Sequence, residues 1–391
     1  MNSRCLPCGR KTKQMSIAIR EVTNKEMLNA FLDLPHRLYK DHPCYVPPLR
    51  FDEKGTLRKD KNPAFDYCEA RYWLAYRDGK VVGRIAGIIN HAFIEKWEKR
   101  YLRFGWIDFE NDECIAQALM KTVEDWGKEL GMEAVHGPLG FTDLDHEGML
   151  VDGFEEKGNI TGLYNFPYYP ALLEKNGYGK HTDWVEFRMS IPDAMNEQLE
   201  RLAATVARRQ QLQVIKLKKT KDVLPYVPAI FELINSAYAH LYGVVPLTQK
   251  QIAYYTKQYF SFIRPDFVSL VTDKEGKLAA FGITMPSLSG ALQKAKGSLL
   301  PFGFWHLLKA IRKNDTADLL LVAVRKDLQG KGVNALVMNE TLKSFINYGI
   351  KTAEASHQLE DNKLIHAMWD SFNAKVHKRR RCYIKYLNSE A

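Results

Sequence analysis

Apolar and polar residues alternate on either side of a glycine turn at one place in each half of the chain. Residues 73–88 form such a unit around an Asp-Gly pair, and residues 268–283 form another around a Glu-Gly pair. Glycine adopts a positive φ at little steric cost, so each unit is predicted to be a β-hairpin. The repeated pattern indicates an internal duplication.

The same order of elements follows both hairpins. A strand precedes an amphipathic helix, whose apolar residues recur every three or four positions until a glycine ends it, and another strand comes next. The predicted elements are strands at 104–109, 134–135, 318–324 and 352–356, and helices that end at Gly131 and Gly349. Strands that alternate with helices predict a mixed α/β fold for both copies.

The duplication divides the 391 residues into two predicted domains. We place the first at 15–190 and the second at 195–391, with a polar helix at 196–211 as the connector. Residues 1–14 contain basic residues but no acidic one and show no alternation, so we expect a disordered leader. Met15 is the expected natural start, because an alternating strand pattern begins there.

Composition excludes several classes of protein. Hydrophobic residues make up 46% and charged residues 26%, which is ordinary for a globular chain and excludes collagen or wholesale disorder. No apolar stretch is long enough to span a membrane, and no secretory signal precedes the first strand. The six cysteines lack the spacing of a disulfide framework or a zinc site, so we expect a cytoplasmic protein without a metal. The net charge of +10 suits anionic partners without choosing among them.

The sequence Gln-Gly-Lys-Gly-Val-Asn at 329–334 joins a predicted strand to a predicted helix. A glycine-rich turn at this point presents unpaired backbone N–H groups and the positive end of the helix dipole, and Lys331 adds charge. This chemistry favours a pyrophosphate site, although a plain tight turn has the same residues. The spacing is neither that of a P-loop nor that of the Rossmann motif.

The hairpin, strand, Q-x-x-G-x-small loop, helix and strand together resemble the fold of the GCN5-related N-acetyltransferases (GNAT). The resemblance implies that the loop binds the pyrophosphate of coenzyme A, and that the preceding strand hydrogen-bonds its pantetheine. The residues implied in this binding are Val322, Ala323, Val324, Gln329, Gly330, Lys331, Gly332, Val333, Asn334 and Asn362. Asn334 replaces a usual Gly or Ala. Trp369 stands where a tyrosine commonly protonates the leaving thiolate, so the proton donor must differ.

From about residue 15 onward the chain also resembles a bacterial family with two GNAT copies. The motifs that carry this resemblance are YVPPL at 45–49, GRIA at 83–86, HGP at 136–138, GMLVDGF at 148–154, YNxPYY at 164–169, LEDN at 359–362 and the stretch 379–386. One branch of this family comprises acyl-CoA-dependent ceramide synthases. The resemblance implies transfer of an acetyl or longer acyl group from coenzyme A to an amine, and a lipid-like amine is one candidate acceptor.

The two copies differ at the position of the loop. The first copy has Glu-Asn-Asp-Glu at 110–113, and carboxylates at a helix N-terminus repel a pyrophosphate. We therefore expect coenzyme A to bind only to the second copy, while the first serves as a scaffold or as a wall of the acceptor pocket. The expected acceptor contacts of the first copy are Tyr164, Asn165, Tyr168 and Tyr169.

An acyltransferase of this kind needs a base for the amine and a donor for the oxyanion. Glu354 is the expected base, directly or through water, with His357 as the second candidate and Glu360 as a third residue near the site. A glutamate paired with Arg or Lys is the alternative interpretation of Glu354. The backbone N–H of Val324 is the expected donor to the thioester oxygen.

An insertion at 288–314 interrupts the second copy and is apolar, aromatic and basic at once. One interpretation is a segment that packs its aromatic residues on the core. The other is an interfacial segment in which Phe304 and Trp305 contact a lipid-like substrate, so that the protein contacts the inner face of an anionic membrane peripherally.

Two acidic or basic motifs have competing interpretations. The loop at 143–148 begins like a calcium-binding EF-hand but lacks its closing glutamate, which favours a loop between domains. The cations at 378–381 lie in a strand-forming segment, so a solvated strand edge is favoured over nucleic-acid binding. A catalytically lapsed tandem GNAT that only binds or regulates remains the alternative function. Aminoacyl-tRNA-dependent transfer is disfavoured, because it predicts no intact coenzyme A loop.

Overall fold

The computed structural model describes residues 16–259, 262–370 and 372–387. The predicted leader and the expected start at Met15 lie outside these residues. The strands are β1 Ala18–Glu21, β2 Cys68–Arg77, β3 Lys80–Asn90, β4 Tyr101–Phe109, β5 Ala134–Gly137, β6 Met149–Asp152, β7 Gly179–Ser190, β8 Gln213–Val214, β9 Val268–Thr272, β10 Leu278–Pro286, β11 Thr316–Val324, β12 Thr352–Ala355, β13 Gln358–Leu359 and β14 Lys375–Tyr386. The helices are α1 Lys25–Leu38, α2 Arg50–Thr56, α3 His91–Trp97, α4 Glu113–Glu129, α5 Tyr168–Lys175, α6 Glu197–Gln210, α7 Val227–Ala237, α8 Gln249–Tyr259, α9 Ser289–Ala295, α10 Gly303–Arg312, α11 Asn334–Tyr348 and α12 Lys363–Asp370.

One mixed sheet contains all of these strands. Its order is β1-β2-β3-β4-β5-β14-β7-β12-β11-β10-β9-β8, with β13 paired to β7 and β6 paired to β14. The β4–β5 and β11–β12 pairs are parallel, and the other neighbours are antiparallel. The predicted mixed α/β fold is confirmed.

Both predicted hairpins are present. Strands β2 and β3 join at Asp78 and Gly79, which have φ values of 49° and 77°, and the β9–β10 turn contains Gly276 with φ 77°. Both predicted helices also end at left-handed glycines, Gly131 after α4 and Gly349 after α11. Local turn and cap chemistry therefore determines the ends of these elements.

Each copy packs its long helix closely on its hairpin through a glycine. A Cβ at Gly83 on β3 would lie 2.8 Å from Leu119 of α4, and one at Gly282 on β10 would lie 2.6 Å from Val337 of α11. Such distances are shorter than real Cβ contacts. The same residue type thus makes the same helix–sheet contact in both copies, as a duplication predicts.

The closing strands of the two copies are exchanged. Strand β14, at the end of the second copy, lies against β5 of the first, and β7, at the end of the first copy, lies against β12 of the second. Strands β7 and β14 also pair with each other at the centre of the sheet. The domain boundary at residues 190–195 stays a prediction, because the exchanged strands join both copies into one sheet.

The expectation of a solvated strand edge at 378–381 is wrong. Strand β14 is central, and Lys378 and Arg380 are each only 1% exposed. Both pair with the carboxylate of Glu186 on β7, at 2.8 Å and 2.6 Å respectively. The cations are buried because strand exchange brings a distant acidic strand beside them.

Candidate active site

Strand β11 has an open edge. It pairs with β12 only over Thr316–Leu319, although it continues to Val324. Because antiparallel pairing alternates, and Arg325 N donates to Ala279 O, the N–H of Val324 points away from β10 and toward the opening. Among the described residues this N–H has no acceptor. It can therefore donate to a thioester oxygen, as the sequence predicts.

Tyr238, at the end of α7, is a neighbour of this strand that the sequence did not indicate. Its hydroxyl donates to Val322 O at 2.8 Å and accepts from Val322 N at 3.4 Å. Burial raises the pKa of Tyr238 to about 12, so the phenol stays protonated at neutral pH. No local motif signals this contact, because the two residues are far apart in sequence.

The loop before α11 forms an anion cradle. Gly330 and Gly332 have φ values of 72° and 78°, a region that few residues other than glycine adopt. Within the part of the chain that the structure describes, the N–H groups of Gly330, Gly332, Val333 and Asn334 have no acceptor. Unpaired amides at a helix N-terminus bind phosphate oxygens.

Two side chains of the loop complete this arrangement. Lys331 is exposed beside the free amides and can add a cation to an anion site. Gln329 donates from Nε2 to Val324 O at 3.1 Å, which ties the loop to the end of the open strand. The predicted coenzyme A residues of β11 and the loop are therefore adjacent.

The first copy closes the equivalent strand end with tyrosines. Phe109, the last residue of β4, donates its N–H to the Tyr169 hydroxyl at 3.1 Å, and its carbonyl accepts from the Tyr168 hydroxyl at 2.6 Å. Asp112 then caps α4 by accepting from Cys114 N at 2.8 Å. The first copy thus satisfies with its own side chains the strand-end N–H whose counterpart at Val324 has no acceptor among the described residues of the second copy.

The four predicted acceptor contacts of the first copy lie outside the large cavity described below. Tyr164 stacks on His42 with ring centroids 4.5 Å apart, and Asn165 bonds both N and O of Leu150. Together with the two tyrosines at Phe109 they hold the first copy together. Their role in substrate binding stays a prediction.

A cavity of about 460 Å³ lies between the two copies. This volume is within the range of about 300–1,000 Å³ typical of small-molecule sites. The second copy contributes apolar residues from α7, α9, β10 and the open part of β11, and the first contributes α2 and the loop at 143–147. That loop therefore lies between the copies, which matches the interpretation favoured from its sequence.

Five carboxylic acids face this cavity, namely Asp52, Glu53, Asp143, Asp145 and Glu147. Burial raises the pKa of Asp52 to about 7, and those of Asp143 and Asp145 to about 6. Burial and the neighbouring Asp143 raise the pKa of Glu147 well above its usual range. No sequence motif indicates this grouping, because the acids come from segments far apart in the chain.

His357 also lines the cavity, beside a buried carboxylate. Its Nε2 atom lies 3.3 Å from Oε1 of Glu186. Burial lowers the pKa of His357, which favours the neutral imidazole that a base requires. Glu186 is itself buried, but Arg380 and Lys378 hold its pKa well below the usual range. A charged carboxylate therefore lies next to a neutral histidine at the cavity wall.

The other two predicted catalytic residues are held in ion pairs outside the cavity lining. Glu354 pairs with Arg188 at 2.8 Å and lies 3.4 Å from Lys378. Glu360 pairs with Lys180 at 2.5 Å and with Arg379 at 2.9 Å. The alternative interpretation of Glu354 describes this arrangement, and the catalytic role of both residues stays a prediction.

The segment that follows β13 meets the cavity. Asn362, Ile365 and Trp369 all line it. Trp369 donates its indole N–H to the Gln358 side chain at 2.6 Å, so it supplies no proton to a thiolate. The predicted coenzyme A role of Asn362 stays a prediction.

The insertion forms α9 and α10, and each of its two interpretations fits some of its residues. Leu307 is buried against Leu288 and Leu292, which line the cavity. Phe304 and Trp305 point outward instead and are 37% and 59% exposed. They lie on the surface rather than in the cavity, so their contact with a substrate stays a prediction.

One group of residues offers three metal-ligand atoms within 4.8 Å of one another among the described residues: His136, His181 and Cys382. The hydroxyl of Tyr242 lies between them, at 2.7 Å from Nδ1 of His136 and 3.0 Å from Nδ1 of His181. Hydrogen bonding to this tyrosine therefore accounts for both nitrogens.

No helix in the described part of the chain is long and apolar enough to cross a membrane.

Two curated proteins are similar to the chain over nearly its whole length. Protein YghO of Escherichia coli (strain K12) is 29% identical over 376 residues, which cover 94% of this chain and 95% of that protein. The bacterial ceramide synthase of Caulobacter vibrioides (strain NA1000 / CB15N) is 25% identical over 382 residues, which cover 95% of this chain and 98% of that protein. No protein-family model matches the chain.

Solved structures show the same architecture at low sequence identity. A tandem GNAT protein from the clavulanic acid biosynthesis pathway is 12% identical with a TM-score of 0.56, over 96% of this chain and 100% of that one. A GCN5-related N-acetyltransferase from Sphaerobacter thermophilus is 11% identical with a TM-score of 0.51, over 95% and 96%. The predicted resemblance is confirmed, and the chain has the fold of the tandem GNAT proteins.

Proposed function

We propose that the protein is an acyl-CoA-dependent N-acyltransferase whose donor site lies in the second copy. The main support is one juxtaposition. The open part of β11 lines the cavity, and the unpaired amides of Gly330 and of residues 332–334 follow directly after this strand. The relative from Caulobacter vibrioides carries the name of a ceramide synthase, which also supports acyl transfer to an amine.

The proposed reaction joins an amine to a thioester. The amine nitrogen attacks the carbonyl carbon of the acyl-CoA, a C–N bond forms, and the C–S bond breaks. One proton leaves the nitrogen, and the departing thiolate takes up a proton to give coenzyme A. Positioning and proton transfer are the main tasks, because the thioester is already reactive.

Residues of the second copy have distinct roles in this proposal. The amides of the loop hold the pyrophosphate, and the N–H of Val324 donates to the oxyanion. His357 is the base, because it is neutral, lines the cavity and has Glu186 at 3.3 Å to stabilise its protonated form. The ion-paired Glu354 gives weaker support for the same role.

We further propose a long-chain acyl donor or a lipid-like acceptor, together with peripheral membrane contact. Each buried methylene contributes about 0.8 kcal/mol, so the apolar cavity favours a long chain. Outside, an α10 patch is exposed, comprising Leu300, Phe302, Phe304, Trp305 and Leu308. Five exposed cations accompany it: Lys294, Lys296, Lys309, Arg312 and Lys313. Apolar residues with cations suit an anionic bilayer surface.

The reaction is tested by following release of the coenzyme A thiol with a chromogenic disulfide. Acetyl-, octanoyl- and palmitoyl-CoA are each mixed with protein, with and without decylamine. We expect amine-dependent thiol release that increases with acyl length. Binding of acyl-CoA without any release contradicts the enzyme and supports the lapsed binding module instead.

Membrane contact is tested by sedimentation with anionic vesicles of phosphatidylglycerol. We expect the protein to sediment with them, and the double variant F302S/W305S to remain in the supernatant. Leu224→Ser, which changes another exposed leucine outside the α10 patch, should sediment like the wild type. Equal sedimentation of all three proteins contradicts a role for the patch.

A further inference from the structure

The five cavity-facing acids, Asp52, Glu53, Asp143, Asp145 and Glu147, are called the acidic wall below. All five belong to the first copy, and none has a Lys, Arg or His nitrogen within 4.0 Å in the described chain. Glu186, a buried acid of the strand β7, does have such partners, since it contacts both Arg380 and Lys378. Acids that face a cavity without a cation are uncommon, because an unpaired charge is costly to bury.

Arg103 is the cation whose charge acts on several of these acids, yet its hydrogen bonds go elsewhere. Its guanidinium donates to the carbonyls of Gly140 and Gly243, at 3.0 Å and 3.1 Å. It moderates the pKa of Asp143 and Asp145 only after the larger opposing effect of burial. Arg84 and His36 act in the same direction on Glu53, and Lys96 acts on Asp143, but none of these cations forms an ion pair with the acidic wall within the described chain.

Glu53 points independently to a ligand. Its side chain is buried, with the residue 5% exposed, and it lines the cavity. One oxygen accepts from the indole N–H of Trp106 at 3.2 Å, whereas the other, Oε2, has no partner among the described residues. A buried acceptor without a partner costs about 1–3 kcal/mol, unless a bound group supplies the donor.

The geometry argues against a metal ion as that group. The described residues bring three ligand atoms within 4.8 Å of one another at His136, His181 and Cys382, and not at the acidic wall. Calcium needs six or more oxygens at 2.3–2.6 Å, which requires closer convergence. Dispersed carboxylates suit a larger cation with several N–H donors, such as an alkylammonium group.

We propose that the acidic wall binds the ammonium group of the acceptor, and that the acceptor is a primary amine on an apolar chain. This rests on the proposed function and specifies its substrate. The cavity lining also includes apolar residues of the second copy, such as Ile230, Ile234 and Leu292, which can contact the chain. The first copy thus recognises the acceptor, while the second binds the anionic donor.

The acidic wall also provides a route for the acceptor proton. An amine enters the cavity as its ammonium ion, which cannot attack a thioester. A carboxylate of the wall accepts one proton and becomes a neutral carboxylic acid, and the free amine then has the lone pair that forms the C–N bond. Asp52, with its pKa raised to about 7, is suited to hold that proton transiently.

Calorimetric titration of the apoprotein with decylamine and with decan-1-ol tests this proposal. Both probes bury the same chain, but only the amine carries a cation. We expect decylamine to bind at least about tenfold more tightly. Glu53→Gln should remove most of that difference without changing alcohol binding, because glutamine keeps an acceptor for Trp106. Asp318→Asn, which changes a buried acid outside the cavity lining, should keep the difference.

Equal affinity for amine and alcohol in the wild type, or an unchanged difference in Glu53→Gln, overturns the proposal. Should Glu53→Gln fail to fold by circular dichroism, Asp143→Asn, which removes the charge of another acid of the wall, is measured at about pH 7.5 instead. A parallel titration with acetyl-CoA separates the two proposals. Acetyl-CoA binding without amine preference rejects the acidic wall alone, and amine preference without acetyl-CoA binding rejects the acyltransferase alone.

Discussion

The two copies end the equivalent strand in different ways. In the first copy Tyr168 and Tyr169 satisfy both backbone groups of Phe109, and Asp112 caps the following helix. In the second copy the N–H of Val324 and four loop amides have no acceptor among the described residues. The same fold therefore leaves backbone donors free for a ligand in one copy and uses its own side chains to occupy them in the other.

The two copies also present opposite charges at their candidate sites. The second copy presents Lys331 and a helix N-terminus, which suit a pyrophosphate. The first presents carboxylates both at its helix N-terminus and along the acidic wall. In the proposed function, these opposite charges suit the two copies to two substrates of opposite charge.

The largest expected effect comes from breaking the junction between the copies. Glu186→Gln removes the charge that Arg380 and Lys378 share at the exchanged strands. Leaving buried cations without their partner costs about 3–5 kcal/mol. Urea unfolding should show this loss. The exposed ion pair between Glu197 and Arg201 on α6 offers the control, since Glu197→Gln should cost less than about 0.5 kcal/mol.

Changing the proposed base should affect catalysis more than binding. His357→Gln is expected to lower kcat by about 10²–10⁴-fold, because general-base catalysis contributes that much. The affinity for acyl-CoA should stay within about twofold, since the loop amides remain. Steady-state thiol release and calorimetry measure the two quantities. A Glu354→Gln variant that loses more kcat than His357→Gln would assign the base to Glu354 instead.

Opening the strand end of the first copy should cost stability without creating a second donor site. Tyr169→Phe leaves the N–H of Phe109 without an acceptor and removes a partner of Tyr39. The expected cost is about 1–3 kcal/mol in the free energy of unfolding. The carboxylates at 110–113 remain, so coenzyme A should still bind at one site. Binding at two sites in this variant contradicts the expected role of those acids.

The remaining expected effect is a pH trend from the acidic wall. The pKa of Asp52 is raised from 3.8 to about 7, so the folded state keeps a proton that the unfolded state releases between these values. Stability from this group is therefore lost as pH rises from about 4 to 7. Asp52→Asn should become progressively more stable relative to the wild type over that range, measured by urea unfolding. The exposed Asp193→Asn, which removes a carboxyl whose pKa the Lys351 ammonium lowers, should not gain stability relative to the wild type over that range. A difference between Asp52→Asn and the wild type that stays constant with pH contradicts the burial of Asp52.

The features that the sequence predicts correctly depend on residues that are neighbours in the chain. Hairpin turns such as 78–79, helix ends such as Gly349 and the loop at 329–334 follow from residues that are neighbours in the chain. The strand exchange does not, because β5 and β14 are far apart in the chain and pair only in the folded protein. For this reason the sequence at 378–381 suggests a solvated edge strand, whereas Lys378 and Arg380 are buried in the structure.

The candidate site divides in the same way. The proposed donor residues of β11 and the following loop lie in one continuous segment, so the sequence alone places them together. The acidic wall combines Asp52 and Glu53 of α2 with the loop at 143–147, and nothing in either segment signals the other. Tyr168 and Tyr169 belong to a motif that suggests a binding role, yet their hydroxyls bond to Phe109, which only the folded chain reveals.

The central claim is that one copy alone binds coenzyme A, through its loop amides. Calorimetry with coenzyme A tests it on the wild type, Gly332→Asp, Gly332→Asn and Cys114→Asp. Asn and Asp strain the positive φ of Gly332 equally, so their difference isolates the charge. We predict one site per chain, and binding at least about 100-fold weaker for Gly332→Asp than for Gly332→Asn. The dissociation constant of Cys114→Asp should lie within about twofold of the wild-type value. Equal affinities of the Asp and Asn variants, or two sites per chain, would contradict the account.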